Sequence, residues 1–308
     1  NIPTSKFEIF KNKDEAIKYL DKSKYPIVIK ADGLASGKGV YICKSNNEAK
    51  NAVSEIFDGK FGKADCVLVE EFLNGEEMSY FIISDGKEYK SFQTAQDHKR
   101  VGEGDTGPNT GGMGSYSPSR LNNKNLEAKI NKKIIEPTLA GLKKLNTEYV
   151  GFLYVGLMIS NNEPYLIEFN VRMGDPECQT ILPLLKSDLG EIILSCCNQS
   201  LSSQKIEWLY KKSLCIVLCS NGYPGEYKKK VIIKNTDNLN LQEGQYLIHA
   251  GTKYIDKDLY SYGGRVLNIV VTSNTFENSR KKALEILDKI NWENGFYRKD
   301  IGYNVINT

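Results

Sequence analysis

A short apolar segment that turns through glycines into a second apolar segment restricts the fold of this chain more than any other feature. Residues 26–31 read Pro-Ile-Val-Ile-Lys-Ala, which is typical of a buried strand, and another short strand is predicted near 40–43. Three glycines lie in the connecting residues 32–39. Because a strand and not a helix follows the glycines, the segment predicts a β-hairpin and excludes the strand–loop–helix unit of P-loop proteins.

The spacing of the glycines limits what this turn can bind. A Walker A loop needs four residues between its glycines and a Ser or Thr after its Lys. Here three residues separate Gly33 from Gly37, and Gly39 follows Lys38. The backbone N–H groups of a glycine loop between strands can still clamp phosphates. Two interpretations remain, a flexible phosphate-binding flap and a plain glycine hairpin.

A further predicted strand, residues 66–72, ends in adjacent acids and leads into a glycine turn. This arrangement suits the binding of an adenosine. Backbone groups of Phe72 and Leu73 can hydrogen-bond the adenine edge, and the carboxylate of Glu77 can accept from ribose hydroxyls. The alternative is that acids at a strand end are only solvated.

The segment from Tyr165 to Glu177 combines a predicted strand with three functional side chains. Strand alternation places Glu168, Asn170 and Arg172 on one face. A carboxylate and an amide oxygen side by side suit a Mg²⁺ ion that bridges phosphates, and the guanidinium can hold developing phosphoryl charge. A strand with an ordinary solvated face is the alternative.

The long segment 96–120 has almost no apolar periodicity and holds six glycines and two prolines. A loop of this length inside a compact domain is usually functional or disordered. Helical spacing interrupted at Pro137 follows, and from about residue 213 the pattern changes to short strands with a helix at 276–290. These changes predict a domain boundary near 185–212.

Composition excludes several classes of function. No apolar run approaches the roughly 18–20 residues of a membrane span, and a net charge of +3 is too small to indicate nucleic acid as the main partner. Seven cysteines and only two histidines offer no zinc-ligand spacing, so we interpret the cysteines as buried small hydrophobes in a reducing cytosol. The N-terminus has no secretory signal region, and a cytoplasmic location is expected.

Taken together, these segments resemble the phosphoribosylamine–glycine ligases, a family of the ATP-grasp superfamily. The resemblance extends over essentially the whole chain, and residues 96–114 separate this family from other ATP-grasp ligases. The segments that carry it are 26–40, 96–102, 105–114, 167–170, 249–252, 263–266 and 298–302.

The resemblance implies an α+β architecture. An ATP-grasp fold, in which two α/β lobes clamp ATP, is expected over residues 1–190, with a flexible lobe at about 22–95. A small β-rich C-terminal domain that closes the active site is expected over 191–308. The family carries a further N-terminal α/β domain upstream, and this chain is expected to lack it.

The resemblance also implies an activity in purine synthesis. ATP phosphorylates the carboxylate of glycine, the amine of 5-phosphoribosylamine attacks the acyl phosphate, and glycinamide ribonucleotide, ADP and phosphate are released. ATP and Mg²⁺ are the expected cofactors, with Mn²⁺ able to replace Mg²⁺. The expected partners are these small molecules, without nucleic acid or membrane, and the chain is expected to be a monomer or weak dimer.

The family's functional residues can be carried over to matching positions. Glu168 and Asn170 are the expected metal ligands. Arg172 is expected to stabilise the transferring phosphoryl group, and Asp175 to position the glycine amine or the metal shell. Nucleotide contacts are assigned to Lys30, Gly37, Lys38, Gly39, Glu70, Phe72, Leu73 and Glu77. The substrate side is assigned to His98, Lys99, Arg100, Asn109 and Thr110, with a solvated basic pair as the alternative for Lys99 and Arg100.

One position departs from the wider superfamily pattern. Residues 151–157 contain no acid where many ATP-grasp enzymes carry a further metal-binding Glu, which leaves fewer protein ligands for a second Mg²⁺. Two alternative functions are retained. One is a nucleotide-binding fragment without ligase activity of its own, and the other is a different ATP-grasp carboxylate–amine ligase.

Overall fold

The computed structural model describes residues 1–33 and 39–306, so the predicted flap residues Gly37 and Lys38 lie outside the described residues. The described chain divides into two compact units. The first contains Asn1–Glu76 and Met158–Ile167, and the second contains Glu77–Leu157 and the residues from Glu168 onward. Neither unit ends near residue 190, where the sequence predicts a domain boundary, and that boundary stays a prediction.

The first unit contains a small antiparallel sheet and two helices. Its elements are β1 (Phe7–Phe10), α1 (Lys13–Leu20), β2 (Ile27–Ala31), β3 (Val40–Cys43), α2 (Asn46–Phe57) and β4 (Val67–Glu71). The strand order is β1-β4-β2-β3, with antiparallel neighbours throughout. The strands predicted over 26–31, 40–43 and 66–72 are confirmed, and β2 and β3 form the predicted hairpin.

Both helices pack on one face of this sheet. Ser45 caps α2, because its hydroxyl accepts the backbone N–H of Glu48 at 3.3 Å. The Glu48 carboxylate accepts from the Lys44 N–H at 2.8 Å, one residue before the position that a capping box would use. The buried apolar residues of the helices and strands form one core: Ala16, Leu20, Ile27, Ile29, Cys43, Ala49, Ala52, Val53, Ile56, Val67 and Val69.

The remaining elements of the described chain are mostly strands. In chain order they are β5 (Glu76–Asp85), β6 (Tyr89–Ser91), β7 (Gln96–Asp97), β8 (Arg100–Gly102), β9 (Thr106–Asn109), β10 (Gly114–Ser117), α3 (Lys124–Ile130), α4 (Glu136–Lys144), β11 (Val150–Ser160), β12 (Glu163–Asn170), α5 (Glu177–Ile181), α6 (Leu189–Cys197), β13 (Lys212–Ser220), β14 (Val231–Ile233), β15 (Gln245–His249), β16 (Thr252–Ile255), β17 (Asp258–Ser261), β18 (Arg265–Ser273), α7 (Phe276–Leu287), β19 (Gly295–Phe296) and α8 (Tyr303–Ile306). Across residues 1–33 and 39–306, none of the helices has the length and apolar character needed to cross a membrane.

Four of these strands form a sheet of order β12-β11-β5-β6. The predicted hairpin turns are confirmed. The Asp85 carboxylate accepts the N–H of Glu88 at 2.8 Å in the first turn. Asn161 and Asn162 adopt φ values of 51° and 59° in the second, a left-handed conformation that Asn tolerates. The strand predicted over 88–95 is shorter in the structure, where β6 spans only Tyr89–Ser91.

The helical region after the long polar segment is interrupted before Pro137. A π-helical turn, Asn131–Ile135, joins α3 to α4. Pro137 is the second residue of α4, where its fixed φ is compatible with the helical conformation. The predicted interruption of the helical region is therefore confirmed, as a π-helical turn that ends two residues before Pro137.

The C-terminal strands form a sheet of order β15-β18-β13-β10-β7, and β19 pairs with one end of β13. The two central strands, β13 and β18, pair from Lys212↔Ser273 to Cys219↔Arg265. Helix α7 packs on this sheet through Ala283, Ile286 and Leu287. A separate three-stranded sheet has the order β14-β17-β16.

The expectation of a structureless loop over 96–120 is wrong in part, because four short strands lie in it. β7 and β10 join the C-terminal sheet, and β8 pairs with β9 as a hairpin. Apolar periodicity fails to reveal β10 because its Gly-Ser-Tyr-Ser sequence is buried at every position. The hydroxyls of Ser115 and Ser117 donate to the carbonyl oxygens of Pro176 and Thr94, which makes this polar strand compatible with burial.

We expect Gly114→Ala to destabilise the protein, because β10 has no space for a methyl group at this position. An added Cβ would lie 2.5 Å from the Cys215 carbonyl oxygen and 2.9 Å from the Ile301 side chain. Overpacking of this kind lowers the free energy of unfolding by about 1–3 kcal/mol, which urea denaturation would measure. Gly141→Ala on α4 is the matched control, because nothing lies within 4 Å of its added Cβ. Equal losses in both variants would contradict the expectation.

Candidate functional site

Lys30, the expected phosphate contact, lies on the sheet face of the first unit that the helices leave uncovered. Its ammonium is 2.8 Å from the carboxylate of Glu70 on the neighbouring strand β4. The hydroxyl of Ser5 also donates to this carboxylate at 2.8 Å. The Lys30 and Glu70 side chains are only 20% and 12% exposed. A charge-assisted hydrogen bond with this burial holds the ammonium in one place on the sheet.

The surroundings of this ion pair are apolar and open. Phe7 lies opposite Glu70 in the strand register, and Ile9 follows on the same face. Their side chains are 50% and 52% exposed. Phe72 and Leu73 follow the end of β4, and Phe72 is also partly exposed. An apolar sheet face with one fixed ammonium has the chemistry to bind a flat base together with a phosphate.

Of the three flap residues predicted to contact phosphate, Gly37, Lys38 and Gly39, only Gly39 lies within the described residues. It is buried, and its carbonyl oxygen accepts the N–H of Ala31 at 2.9 Å, which closes the β2–β3 pair. The phosphate contacts assigned to Gly37, Lys38 and Gly39 stay a prediction.

The expected metal ligands Glu168 and Asn170 lie at the end of β12. They are two residues apart on an extended strand, so their side chains share a face. Glu168 is exposed, Asn170 is half-buried, and neither side chain has a hydrogen-bond partner within the described chain. On β11, a Cβ added to Gly156 would lie 3.1 Å from the Glu168 Cγ. The glycine therefore leaves room for Glu168.

This donor set fits Mg²⁺. The ion prefers hard oxygen ligands, and it usually takes one or two protein carboxylates and completes its shell with water and substrate phosphates. In the part of the chain that the structure describes, no three His, Cys, Asp or Glu side chains converge as a metal-binding group. A metal held by Glu168 and Asn170 would therefore rely on non-protein oxygens for the rest of its shell.

The predicted strand that includes Arg172 is shorter in the structure. β12 ends at Asn170, so the alternation expected to include Arg172 stops before it. The guanidinium Nη1 donates to the Met173 carbonyl oxygen at 2.9 Å, and the side chain is exposed. Its assignment to the transferring phosphoryl group stays a prediction.

The Asp175 carboxylate is already engaged by the protein. Arg265 Nη2 lies 3.1 Å from its Oδ2, and Gln179 Nε2 donates to its Oδ1 at 2.7 Å. A glycine amine bound at Asp175 would have to share the carboxylate with these two donors. This arrangement favours a structural role for Asp175 over direct substrate contact, and the expected contact itself stays a prediction.

Glu77 and Lys99, assigned to the nucleotide and the substrate respectively, form an ion pair in the second unit. Two further acids lie in the same electrostatic neighbourhood, Asp97 and Glu177. Glu177 is buried and accepts from the Ser79 hydroxyl at 2.9 Å. Oδ1 of Asp97 is also buried, but it has no hydrogen-bond partner in the described chain.

Burial changes the ionisation of this cluster. It raises the pKa of Asp97 well above its usual value, and the nearby Glu177 carboxylate adds to the effect. Burial also raises the pKa of Glu177. For Lys99, burial opposes the charge, but Glu77, Tyr154 and Asp97 together outweigh it and raise the pKa. Asp97 and Glu177 therefore take up a proton more readily than two exposed acids would.

Four of the expected substrate-side residues lie on or beside the β8–β9 hairpin. Arg100 pairs with Asn109 across it, and Arg100 Nη1 donates to the Gly107 carbonyl oxygen at 2.7 Å. The hydroxyl of Thr110 donates to the Lys99 carbonyl oxygen at 2.8 Å. The structure therefore brings Lys99, Arg100, Asn109 and Thr110 together.

His98, which is expected on the substrate side, is 3% exposed, and its substrate contact stays a prediction. Its Nε2 accepts the backbone N–H of Gly302 at 3.0 Å, and its Nδ1 lies 3.6 Å from Asp105 Oδ1. Both ring nitrogens therefore face groups of the protein itself. This geometry favours support of the hairpin over substrate contact.

Arg298 connects the C-terminal segment to the same hairpin. Its side chain is 1% exposed, and its Nη1 and Nη2 atoms lie 2.7 Å from Asp105 and Asp300 respectively. Nη1 also donates to the Arg100 carbonyl oxygen at 2.9 Å. The Gly104 N–H donates to Asp300 at 2.8 Å. These contacts fasten the hairpin at its base and at its turn.

Sequence reasoning assigned no role to four charged residues that organise the second unit: Asp97, Glu177, Arg265 and Arg298. A signal was available for Arg265, which immediately precedes a long apolar run. A charged side chain next to a buried strand is expected to have a partner, because an unpaired buried charge is costly. The partners themselves come from distant segments, and the pattern around one residue does not identify them.

Sequence models of one protein family match most of the chain. The model of the phosphoribosylglycinamide synthetase ATP-grasp (A) domain matches residues 1–178. The model of the C domain of the same synthetase matches residues 213–304.

Individual proteins are similar over nearly the full chain. The phosphoribosylamine–glycine ligase of Brucella melitensis is 44% identical over 307 residues, which cover 99% of this chain and 72% of that protein. The chloroplastic phosphoribosylamine–glycine ligase of Arabidopsis thaliana is 45% identical over 312 residues, with coverage of 99% and 59%. The crystal structure of the Thermotoga maritima phosphoribosylamine–glycine ligase superposes with a TM-score of 0.88 at 35% identity, covering 97% of this chain and 75% of that one.

Proposed function

The chain belongs to the phosphoribosylglycinamide synthetase family, and on that basis we propose that it catalyses the ATP-dependent ligation of glycine to 5-phosphoribosylamine. The observation that carries this proposal is the match to both synthetase domains together with 44–45% identity to named ligases over 99% of the chain. The chain spans 72% and 59% of those two relatives. The activity of the whole protein is therefore part of the proposal.

The proposed reaction has two chemical steps. A carboxylate oxygen of glycine attacks the γ-phosphorus of ATP, the bond to ADP breaks, and glycyl phosphate forms. The amine of 5-phosphoribosylamine then attacks the acyl carbon, phosphate leaves, and the amine gives up a proton. Positioning and charge stabilisation suffice for both steps, so no nucleophilic side chain is needed.

Residues at the end of β12 are proposed to provide the metal chemistry. Glu168 and Asn170 would hold Mg²⁺, which supplies positive charge to the phosphates when it is bound. Exposed Arg172, two residues beyond, has the charge to stabilise the transferring phosphoryl group. The proposal is supported by the hard oxygens of this pair and by the lack of partners for them in the described residues.

The remaining assignments concern nucleotide and substrates. Lys30, with Glu70, Phe72 and Leu73, is proposed to contact the nucleotide, and the fixed ammonium on an open apolar face supports this. The β8–β9 hairpin with Lys99 and Thr110 is proposed to contact the phosphoribosylamine. Glu77, proposed to bind the ribose of the nucleotide, forms an ion pair with Lys99 and therefore lies beside the hairpin proposed to contact phosphoribosylamine.

The cellular setting is proposed from the cysteines and the relatives. All seven cysteines are free thiols and five of them are buried, which is compatible with a reducing cytoplasm. We propose that the chain acts there as a monomer or weak dimer on small molecules.

A nucleotide-binding fragment without ligase activity is the second candidate. It is favoured by one observation, that 28–41% of each of the two relatives has no counterpart in this chain, as follows from the coverages of 72% and 59%. In this case the ATP-grasp region would bind ATP and Mg²⁺, but other residues of the protein would be needed for turnover.

ADP release distinguishes the candidates. We expect the chain to release ADP steadily when ATP, Mg²⁺, glycine and freshly generated phosphoribosylamine are all present, and to stop when any one is omitted. A coupled assay for ADP measures this. Mg²⁺-dependent ATP binding without turnover would support the fragment. Turnover with another carboxylate or amine in place of glycine or phosphoribosylamine would indicate a different ligase.

A further inference from the structure

We propose that Arg265 is a positioning residue of the ligase site, which holds the Asp175 carboxylate and the Gly111–Gly112 turn in one fixed arrangement. The inference deepens the proposed function and rests on it, because it concerns the same reaction.

The guanidinium of Arg265 binds two segments that are far apart in the sequence. Nη1 donates to the carbonyl oxygen of Gly111 at 2.7 Å and to the carbonyl oxygen of Asp175 at 2.7 Å. The two carboxylate oxygens of Asp175 lie 3.3 Å from Nη1 and 3.1 Å from Nη2. A forked ion pair supplemented by two backbone acceptors restrains orientation as well as distance.

Both backbone polar groups of Gly111 are held by side chains. Its N–H donates to the Tyr223 hydroxyl at 2.9 Å, while its carbonyl oxygen accepts from Arg265. An added Cβ at Gly111 would lie 3.1 Å from the guanidinium carbon of Arg265. The guanidinium therefore packs directly against the backbone of the turn.

The turn held in this way borders the buried acids. A Cβ added to Gly112 would lie 2.4 Å from Pro176 and 2.8 Å from Asp97 Oδ1, the oxygen without a partner in the described chain. Pro176 directly follows Asp175. Arg265 thus fastens the two backbone segments that meet beside Asp97.

The two segments also carry the proposed chemistry. Asp175 follows the proposed metal ligand Asn170 by five residues, and Gly111 follows the hairpin residue Thr110. Arg265 itself lies in the region that matches the C domain, whereas both of its partners lie in the region that matches the ATP-grasp domain. The C-domain region therefore supplies a contact that sets the geometry of the proposed site.

Lysine cannot reproduce this contact. Arginine presents five donors in a rigid plane, whereas a lysine ammonium is a single point charge on a flexible stem. A lysine at position 265 can neutralise Asp175, but it cannot hold Gly111 and both carboxylate oxygens in the same geometry.

The test compares Arg265→Met, Arg265→Lys, Asp175→Asn and the double variant Arg265→Met/Asp175→Asn. A misplacement of about 1 Å lowers turnover roughly 100-fold, so we expect this loss in kcat for Arg265→Met, with the KM for ATP within about twofold of wild type. Arg265→Lys is expected to recover part of the loss, to about 10-fold below wild type. The double variant is expected to be no worse than the more severe single variant, because both changes break one contact. Arg280→Met on α7 is the control and should retain wild-type kinetics.

Multiplied losses in the double variant would overturn the proposal, as would an unchanged kcat in Arg265→Met. A change confined to the KM for ATP would overturn it too. Where Arg265→Met fails to fold, Arg265→Lys and Asp175→Asn still provide the comparison.

Amide hydrogen exchange separates this inference from the proposed function. If wild type shows no glycine-dependent turnover, the proposed function fails, but exchange can still be measured. We expect Arg265→Met to accelerate exchange at least about 10-fold over residues 109–114 and 173–178, with α7 unchanged. Unchanged exchange in both segments would overturn the positioning role, whatever the activity.

Discussion

Replacement of Glu168 by Gln is expected to lower Mg²⁺-dependent turnover by about 10²–10³-fold, a loss typical of removing one stabilising group at a reacting phosphate. The side chain is exposed at the end of β12 and makes no hydrogen bond within the described chain, so folding does not depend on it. The amide keeps the size of the carboxylate but loses the negative charge that attracts the metal. Initial rates of ADP release over a range of Mg²⁺ concentrations would measure the effect.

The control for this experiment is Glu148→Gln, which changes another exposed carboxylate of the same unit next to β11. It should leave the Mg²⁺ dependence unchanged. Calorimetric titration of ATP with and without Mg²⁺ provides a second readout, in which Glu168→Gln should lose the Mg²⁺ effect on affinity. Turnover within a few-fold of wild type would show that the metal assignment is wrong.

Replacement of Arg298 by Met is expected to lower the free energy of unfolding by about 3–5 kcal/mol, the loss found when one partner of a buried ion pair is removed. The guanidinium is 1% exposed and pairs with Asp105 and Asp300 at 2.7 Å each. Without it, the two carboxylates at the turn of the hairpin lose their counter-charge, and the Arg100 carbonyl oxygen at its base loses its donor. Urea denaturation followed by circular dichroism would measure the change.

Lys299→Met is the matched control for Arg298. Lys299 is exposed, and its contact with Glu103 is made by its backbone N–H, which the substitution keeps. The control should stay within about 0.5 kcal/mol of wild type. Similar losses in both variants would mean that the segment tolerates no change, and would refute the role assigned to the guanidinium.

The same cluster should make stability sensitive to acid. Burial opposes the ionisation of Asp105, but the nearby His98 ring and the hydrogen bonds from Arg298 and Tyr303 together outweigh it and hold the pKa well below its usual value. Burial likewise opposes the charge on Asp300, and Arg298 lowers its pKa. A lowered folded-state pKa contributes stability above the unfolded value of about 4, and this stability is lost as the pH falls through the folded value. Wild type should therefore lose unfolding free energy below about pH 4, and Arg298→Met should lose less.

The local patterns were sufficient for much of the fold. The apolar runs that became β2, β3 and β4 were predicted within two residues of their ends, because strands buried on one face have a clear sequence signature. β10 was missed because its burial rests on serine hydroxyls bonded to Pro176 and Thr94. Those acceptors are distant in sequence or lie outside the strand, and hydropathy does not report them.

For the candidate site, too, the sequence predicts what one local segment determines and does not predict contacts between distant segments. The shared face of Glu168 and Asn170 follows from their spacing within one strand, whereas their role as metal ligands stays a prediction. The contacts of Arg265 and Arg298 are not visible in the sequence, because their partners Asp175 and Asp105 lie 90 or more residues away. His98 was placed on the substrate side by its motif, whereas its contact with Gly302 is visible only in the folded chain.

The pairing of β10 with β13 also limits how early the second unit can fold during synthesis. Gly114 pairs with Ile216 and Ser117 with Ser213, so one neighbour of β10 leaves the ribosome about 100 residues after it. Contacts between residues so far apart form late, because a long loop must close first. The strands of the Lys30 sheet are therefore all synthesised while β13, the partner of β10, is still to be translated.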